Sequence, residues 1–182
     1  MEVIINEANL KNEDINEFSS KARAILIDAN NRILIANYGG VFLLPGGKVD
    51  EGETPREGVA RELSEELGKE YDIAELDFFV TLNHYQKDYP KREGEIHNRL
   101  VQTHVFIGPY KGTNQETRKL TEKEKKADFR LEIVLLDDLE SMIINNANNN
   151  PRNIFFQTEL LTILSYYKQK FLNSPSKKLE LK

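Results

Sequence analysis

The chain has 182 residues, a net charge of −5 and no cysteine, so it can bury a sizeable core but has no disulfide, thiolate metal site or cysteine nucleophile. The acidic balance, without any basic stripe, argues against DNA or another polyanion as a partner. No apolar run approaches the roughly 18 residues of a membrane span, and the acidic start is unlike a secretory signal, so we expect a cytoplasmic protein.

Apolar patterning predicts one α/β domain over residues 1–172. Residues 1–20 are expected to form an N-terminal arm or an extra strand, and the runs at 22–28 and 32–37 flank a turn signal typical of a β-hairpin. A short strand at 41–44 leads into a glycine loop. The later predictions are strands at 76–82, 100–108 and 132–136, a charged loop at 87–99, a helix start at 137–139, an asparagine-rich loop at 145–150, a helix at 154–172 and a flexible C-terminal tail at 173–182.

After the glycine loop, the sequence carries the signals of one well-defined helix. Thr54 and Glu57 form a capping box, and Pro55 occupies the first helical position. Gly68 suits the left-handed residue that ends a helix. These signals predict a helix over 55–67.

The predicted helix has two different faces. Its core face is an apolar stripe made of Ala60, Leu63 and Leu67. Glu62, Glu65 and Glu66 fall within an arc of about 100° on another side. A solvated face is the ordinary interpretation of such glutamates, but it normally intersperses lysines, and Arg61 is the one cation beside this cluster. Carboxylates this close repel each other, so the pattern predicts a divalent-metal site for phosphate chemistry.

The segment 47–69, GKVDEGETPREGVARELSEELGK, resembles the Nudix box. The box has glycine and charged residues at fixed spacing and ends with a glycine and an aliphatic residue. Its fixed polar and glycine positions are filled here by Gly47, Glu53, Arg61, Glu62, Glu65, Glu66 and Gly68. Lys69 stands where the family has an aliphatic residue, a departure that concerns packing rather than chemistry.

The resemblance implies an α/β/α sandwich around a mixed central sheet. It also implies hydrolysis of a diphosphate bond in a nucleoside diphosphate derivative or nucleotide, with Mg²⁺ or Mn²⁺ as cofactor. By the same resemblance, Glu62, Glu65 and Glu66 carry the metal together with the backbone carbonyl of Gly46. The general base is left open between Glu62, Glu66 and a glutamate from a later loop.

Two further features of the site follow from the resemblance. Arg61 is expected to pair with Glu53 and to hold the glycine loop against the helix, which adds both residues to the catalytic set. An acidic metal ligand is also expected before the last sheet strand. Five residues in that stretch are candidates: Glu116, Glu122, Glu124, Asp128 and Glu132.

Substrate-binding residues are expected outside the box. Arg23 and Arg99 are cations that can pair with phosphates. Tyr85 lies 16 residues after the box, where relatives that act on diadenosine polyphosphates carry a tyrosine. Four further candidates are the cations Lys91 and Arg92 and the aromatics Tyr38 and Phe42, for which core filling is the favoured alternative. Markers of ADP-ribose, NADH and coenzyme A substrates are absent, so dinucleoside polyphosphates, nucleoside triphosphates and sugar nucleotides remain open.

A catalytically silent Nudix-fold domain, acting as a ligand sensor or regulator, is the alternative function. Such domains usually lose box glutamates, which this chain retains. The expected partner is therefore a small phosphorylated nucleotide, and relatives suggest a homodimer. His84, His97 and His104 have no zinc-ligand spacing.

Overall fold

A mixed sheet forms the centre of the protein, whose computed structural model describes residues 1–91, 94–146 and 149–172. Its strands within these ranges are β1 (Glu2–Ile5), β2 (Glu17–Ile27), β3 (Arg32–Tyr38), β4 (Val41–Leu43), β5 (Gly46–Lys48), β6 (Asp77–Pro90), β7 (Ile96–Pro109) and β8 (Arg130–Leu135). The α-helices are α1 (Pro55–Leu67), α2 (Glu122–Lys126), α3 (Leu136–Ile144) and α4 (Asn153–Phe171). The predicted tail at 173–182 and the candidate cation Arg92 lie outside the described residues.

The strand order across the sheet is β1-β6-β7-β2-β3-β4, with β5 paired to β2 and β8 paired to β3. The pairs β1–β6 and β2–β7 are parallel. The other pairs, β2–β3, β2–β5, β3–β4, β3–β8 and β6–β7, are antiparallel. The prediction of a mixed central sheet is therefore confirmed.

Helices cover both faces of this sheet. Side chains alternate along a strand, so Ala22, Ala24 and Leu26 of β2 pack in the cluster that includes α1, whereas Ile25 belongs to the opposite cluster with α3 and α4. Each face thus buries its own apolar core, which makes the layered α/β/α arrangement stable. Within the described residues, no helix is both long enough and apolar enough to span a membrane.

The hairpin of β2 and β3 and the strand that precedes the glycine loop lie where the sequence predicts them. Of the two alternatives for residues 1–20, the structure shows the extra strand rather than a separate arm. Strand β1 pairs in parallel with β6 at one edge of the sheet, and residues 17–20 belong to β2. The prediction of a charged loop at 87–99 is wrong over most of that range. There β6 continues to Pro90 and β7 begins at Ile96, as one long antiparallel ribbon.

Candidate active site

The ends of α1 are closed by the residues that the sequence indicates. Thr54 Oγ1 accepts a hydrogen bond from the Glu57 amide at 3.3 Å, and Glu57 Oε2 accepts one from the Thr54 amide at 2.8 Å. Gly68 has φ +65°, the left-handed conformation that an L side chain rarely adopts. Helix α1 therefore begins and ends where the sequence predicts.

A second stretch of the chain closes the C-terminal end of α1. The carbonyl oxygens of its last turn accept four hydrogen bonds: Glu65 from the Lys119 amide (2.9 Å), Glu66 from Arg118 Nε (2.5 Å), Leu67 from the Asn114 amide (2.7 Å) and Gly68 from Thr117 Oγ1 (2.7 Å). We call residues 114–119 the capping segment. A Cβ at Gly68 would collide with the Asn114 carbonyl, so the box glycine is also required by this contact.

The predicted glycine loop contains the short strand β5, which pairs with β2, and it approaches α1 closely enough to touch its carboxylates. The Gly46 amide donates to Glu66 Oε2 at 2.8 Å. A Cβ at Gly47 would overlap the Glu62 carboxylate, so any larger residue there would displace it. Loop and helix are therefore held together through the acidic side chains themselves.

Arg61 is the positive centre of the acidic cluster. Its guanidinium binds both oxygens of Glu53, through Nε at 2.7 Å and Nη2 at 3.1 Å, as the resemblance implied. Nη1 also lies 3.0 Å from Glu62 and 3.4 Å from Glu65. The hydrogen bond from Arg61 lowers the pKa of Glu53. Bidentate pairing of this kind fixes orientation as well as charge.

Three carboxylates converge beside the glycine loop. Glu62, Glu66 and Glu124 each place an oxygen within 4.8 Å of the other two. Glu65 lies outside this group, on the more exposed side of α1 next to Arg61. Glu124 comes from the short helix α2, and its Oε2 accepts from the Thr121 amide at 2.6 Å, which anchors the side chain.

Among the five late acidic candidates, Glu124 is the one that the structure brings to the helix glutamates. Three of the others have their own partners: Glu122 pairs with Lys125, Asp128 with Arg130 and Glu132 with Asn37. Glu116 is exposed and belongs to the capping segment.

Burial makes the charge on these carboxylates costly. Glu66 is only 3% exposed, and burial raises its pKa to about 8 against the opposing effects of Arg23 and the Gly46 amide. Burial also raises the pKa of Glu62, although Arg61 opposes the shift. Buried carboxylates that share one point in space are stabilised by a hard cation, so this set fits Mg²⁺ or Mn²⁺.

A cleft of about 570 Å³ opens over the three carboxylates. Its other walls carry the cations Lys21, Arg23 and Lys48 and the aromatic residues Tyr38, Phe129 and Phe156. A volume of this size admits a nucleotide-sized ligand, with cations for phosphate and rings for an apolar or aromatic group.

Of the three predicted substrate-binding residues, the structure brings Arg23 alone to this cleft. Its Nη1 donates to the Leu44 carbonyl at 3.0 Å and to the Gly46 carbonyl, so the guanidinium is already partly engaged. Tyr85 points its hydroxyl at Asn12 Oδ1, 3.0 Å away, and lines a different cavity.

Arg99 is buried away from the cleft. Its Nε donates to Gln86 at 2.6 Å, and its guanidinium lies 3.2 Å from the ring centroid of Tyr89. Lys91 pairs with Glu17 at 2.6 Å. Because none of these side chains lines the cleft, substrate contacts by Tyr85, Arg99 and Lys91 remain predictions that the structure does not support.

The aromatic candidates divide between the cleft and the core. Tyr38 lines the cleft, whereas Phe42 packs against the apolar core, the alternative favoured for both. Sequence reasoning missed Lys21 and Phe156. Lys21 lies two residues before Arg23 on one strand, and the period-two alternation of β2 places both on the same face. Phe156 had no comparable signal.

Comparisons with known proteins identify the family of this chain. The model of the NUDIX domain matches residues 18–155. An 8-oxo-dGTP diphosphatase from Proteus vulgaris is 34% identical over 77 residues, which are 39% of this chain and 64% of that protein. The match thus spans less than two thirds of the length of this relative.

The chain is similar to two solved structures. A NUDIX hydrolase from Nitrosomonas europaea has a TM-score of 0.56 at 12% identity, over 85% of this chain and 90% of that one. A MutT protein from Bacillus halodurans has a TM-score of 0.49 at 21% identity, over 68% and 72%. Because the family model covers most of the sequence, the chain belongs to the NUDIX domain family.

Proposed function

We propose that the protein is a divalent-metal-dependent pyrophosphohydrolase that cleaves a diphosphate bond in a nucleotide. The observation that carries this proposal is the convergence of Glu62, Glu66 and Glu124 in a cleft that Lys21 and Arg23 also line. Acidic and basic groups facing one cavity suit a substrate that brings its own negative charge to a bound cation.

Each carboxylate has a distinct place in this proposal. Glu62, Glu66 and Glu124, with the Gly46 carbonyl, would hold Mg²⁺ or Mn²⁺. The cation would neutralise charge on the phosphate oxygens and make a bound water more acidic. Glu65 is predicted to complete the set from the exposed side, where Arg61 contacts it.

Positioning falls to the residues around the carboxylates. Arg61 holds Glu53 and orients Glu62, so the glycine loop keeps its distance from α1. Arg23 lies between the loop carbonyls and the open cleft, where it can meet a phosphate oxygen. For the general base, Glu124 is the later-loop glutamate within reach, beside Glu62 and Glu66 as the helix candidates.

Nucleoside triphosphates are our first substrate candidates. The curated relative is an 8-oxo-dGTP diphosphatase, which supports triphosphates of this kind, although its match covers only part of either chain. Dinucleoside polyphosphates and sugar nucleotides belong in the same panel. The pair of products identifies the bond that is cleaved. A nucleoside monophosphate is expected with pyrophosphate from a triphosphate, with a sugar phosphate from a sugar nucleotide, or with the remaining nucleotide from a dinucleoside polyphosphate.

The test compares two neighbouring glutamates of α2. Glu124→Gln should reduce kcat/KM on the best substrate by at least ~100-fold, because a charged ligand of the cation is lost. Glu122→Gln is the matched control, since this exposed residue pairs with Lys125 on the surface, and it should leave activity within about twofold. Equal activity of both variants would reject the metal site.

A binding assay distinguishes the proposed hydrolase from the alternative, a catalytically silent ligand-binding domain. If no substrate in the panel is hydrolysed with Mg²⁺ or Mn²⁺ but nucleotides still bind, the protein is a silent ligand-binding domain. A cytoplasmic location and a homodimer stay predictions, to be checked by cell fractionation and by light scattering of the purified protein.

A further inference from the structure

Glu159 is a buried carboxylate that the proposed hydrolysis does not use. It lies on α4, is only 7% exposed, and its Oε1 accepts from Thr103 Oγ1 at 2.9 Å. Its other oxygen, Oε2, is buried without a hydrogen-bond partner among the described residues. Burying a carboxylate oxygen without a hydrogen-bond donor costs free energy, so this position favours a group that can donate to it.

Lys21 lies on β2, next to the strand β7 that carries Thr103, and its charge is opposite to that of Glu159. It is the register partner of Thr103, and its ammonium group lies 5.1 Å from the ring centroid of Phe156. No carboxylate among the described residues lies within 4.0 Å of it, although the field of Glu159 acts on it. The Glu159 carboxylate and the Lys21 ammonium group therefore lie on either side of Thr103. The carboxylate can still accept a hydrogen bond, and the ammonium group can still donate one.

These two groups lie where the cleft continues under α4. Glu159 lines a groove together with Arg23, Leu43 and Phe156. The same three residues also line the main cleft, which Lys21 lines as well. The groove has room for about one water, with a volume near 10 Å³, so an N–H group of a ligand can occupy the position of a single water.

We propose that Lys21 and Glu159 form the base-recognition end of the cleft and select a nucleotide whose base has a lactam edge, a carbonyl beside a ring N–H. This inference rests on the proposed nucleotide hydrolysis. The ammonium group donates to the carbonyl oxygen, and the free carboxylate oxygen accepts from the N–H. Leu43 and Phe156 supply the apolar walls against which the ring packs.

The same pair disfavours a base with an amino edge. In adenine, an amino group would face the Lys21 ammonium and a ring-nitrogen lone pair would face the Glu159 carboxylate. Donor would meet donor and acceptor would meet acceptor. One well-formed pair of base contacts discriminates by 1–3 kcal/mol, which is about 5- to 150-fold in affinity.

Inosine and adenosine 5′-monophosphate are the probes, because their bases differ at this edge. Calorimetric titration in EDTA needs neither a metal nor turnover. Wild-type protein should bind inosine monophosphate about 5- to 150-fold more tightly. In Glu159→Gln the preference should fall to about twofold or less. Glu140→Gln, a matched change on the exposed face of α3, should retain it.

A second variant covers the case in which Glu159→Gln does not fold. Lys21→Met keeps the apolar stem over Phe156 and removes only the donor, so it should also lose the preference. Equal wild-type affinity for the two monophosphates, or a preference that survives both substitutions, would overturn the inference.

Turnover of inosine and adenosine triphosphate then separates the two proposals. Hydrolysis of both at equal kcat/KM leaves the proposed function intact and rejects base recognition. A binding preference without hydrolysis of either triphosphate, or of any other nucleotide with Mg²⁺ or Mn²⁺, rejects the proposed function and leaves base recognition standing.

Discussion

Glu66→Gln should stabilise the metal-free protein although it removes a proposed ligand of the cation. Burial raises the pKa of Glu66 from 4.5 to about 8, so the folded state holds its proton more tightly than the unfolded chain. The contribution of Glu66 to the free energy of unfolding is therefore fully present below pH 4.5 and declines as the pH rises toward 8. Each pH unit in this window removes about 1.4 kcal/mol, which gives a penalty of roughly 3 kcal/mol at pH 7.

Glutamine escapes this penalty because it carries no charge, and its side-chain oxygen can still accept from the Gly46 amide. Urea unfolding in EDTA should show nearly equal stability at about pH 4.5 and a gain of roughly 3 kcal/mol for Glu66→Gln at pH 7. For a domain of this size, that gain corresponds to a rise in Tm of about 6–12 °C. Saturating Mn²⁺ stabilises only a protein that binds it, so the difference should shrink or reverse.

Two results would refute this reasoning. One is a Glu66→Gln protein that is less stable than wild type in EDTA at pH 7, and the other is a stability difference that does not change with pH. Glu65→Gln serves as the control, because Glu65 is half-exposed and its replacement should change stability by no more than about 0.5 kcal/mol.

Two further predictions concern Gly68 and His84. Gly68→Ala should destabilise the protein by at least about 1–2 kcal/mol in urea unfolding, because alanine disfavours φ +65° and its Cβ would collide with the capping segment. A wild-type Tm in this variant would contradict the contact. Burial lowers the pKa of His84 from 6.5 to about 4, so its contribution to stability is present above pH 6.5 and falls with acidification. Relative to His84→Gln, wild type should lose about 2 kcal/mol between pH 6.5 and pH 5, and parallel profiles would refute this.

The parts of the site that depend on local geometry could be predicted from the sequence. The caps of α1 follow from its capping box and from Gly68. Its buried stripe and the side on which Glu62, Glu65 and Glu66 lie follow from the helical repeat. The buried condition of Glu66 could not be predicted in this way. It arises because the glycine loop folds over the carboxylate, a contact between residues 20 positions apart.

The parts that depend on distant segments could not be predicted. Glu124 differs from its neighbours only in where the chain returns to α1, which composition does not encode. Along the β6–β7 ribbon, alternation sends charged side chains to solvent and others inward, so a mixed-charge stretch was interpreted as a loop. The same alternation buries Arg99 beside Tyr89, where it cannot reach the cleft.

If the proposed cation binds, the capping segment links its binding to the opening of one end of α1. Residues 114–119 close the last turn of α1 and lead directly to Thr121 and Glu124, so a local opening would free the helix carbonyls and withdraw one carboxylate in a single event. A cation held by Glu124 must oppose that opening by mass action. Amide hydrogen exchange at Asn114 and Lys119, whose N–H groups bind α1, should therefore slow when Mg²⁺ is added and report occupancy of the site without any substrate.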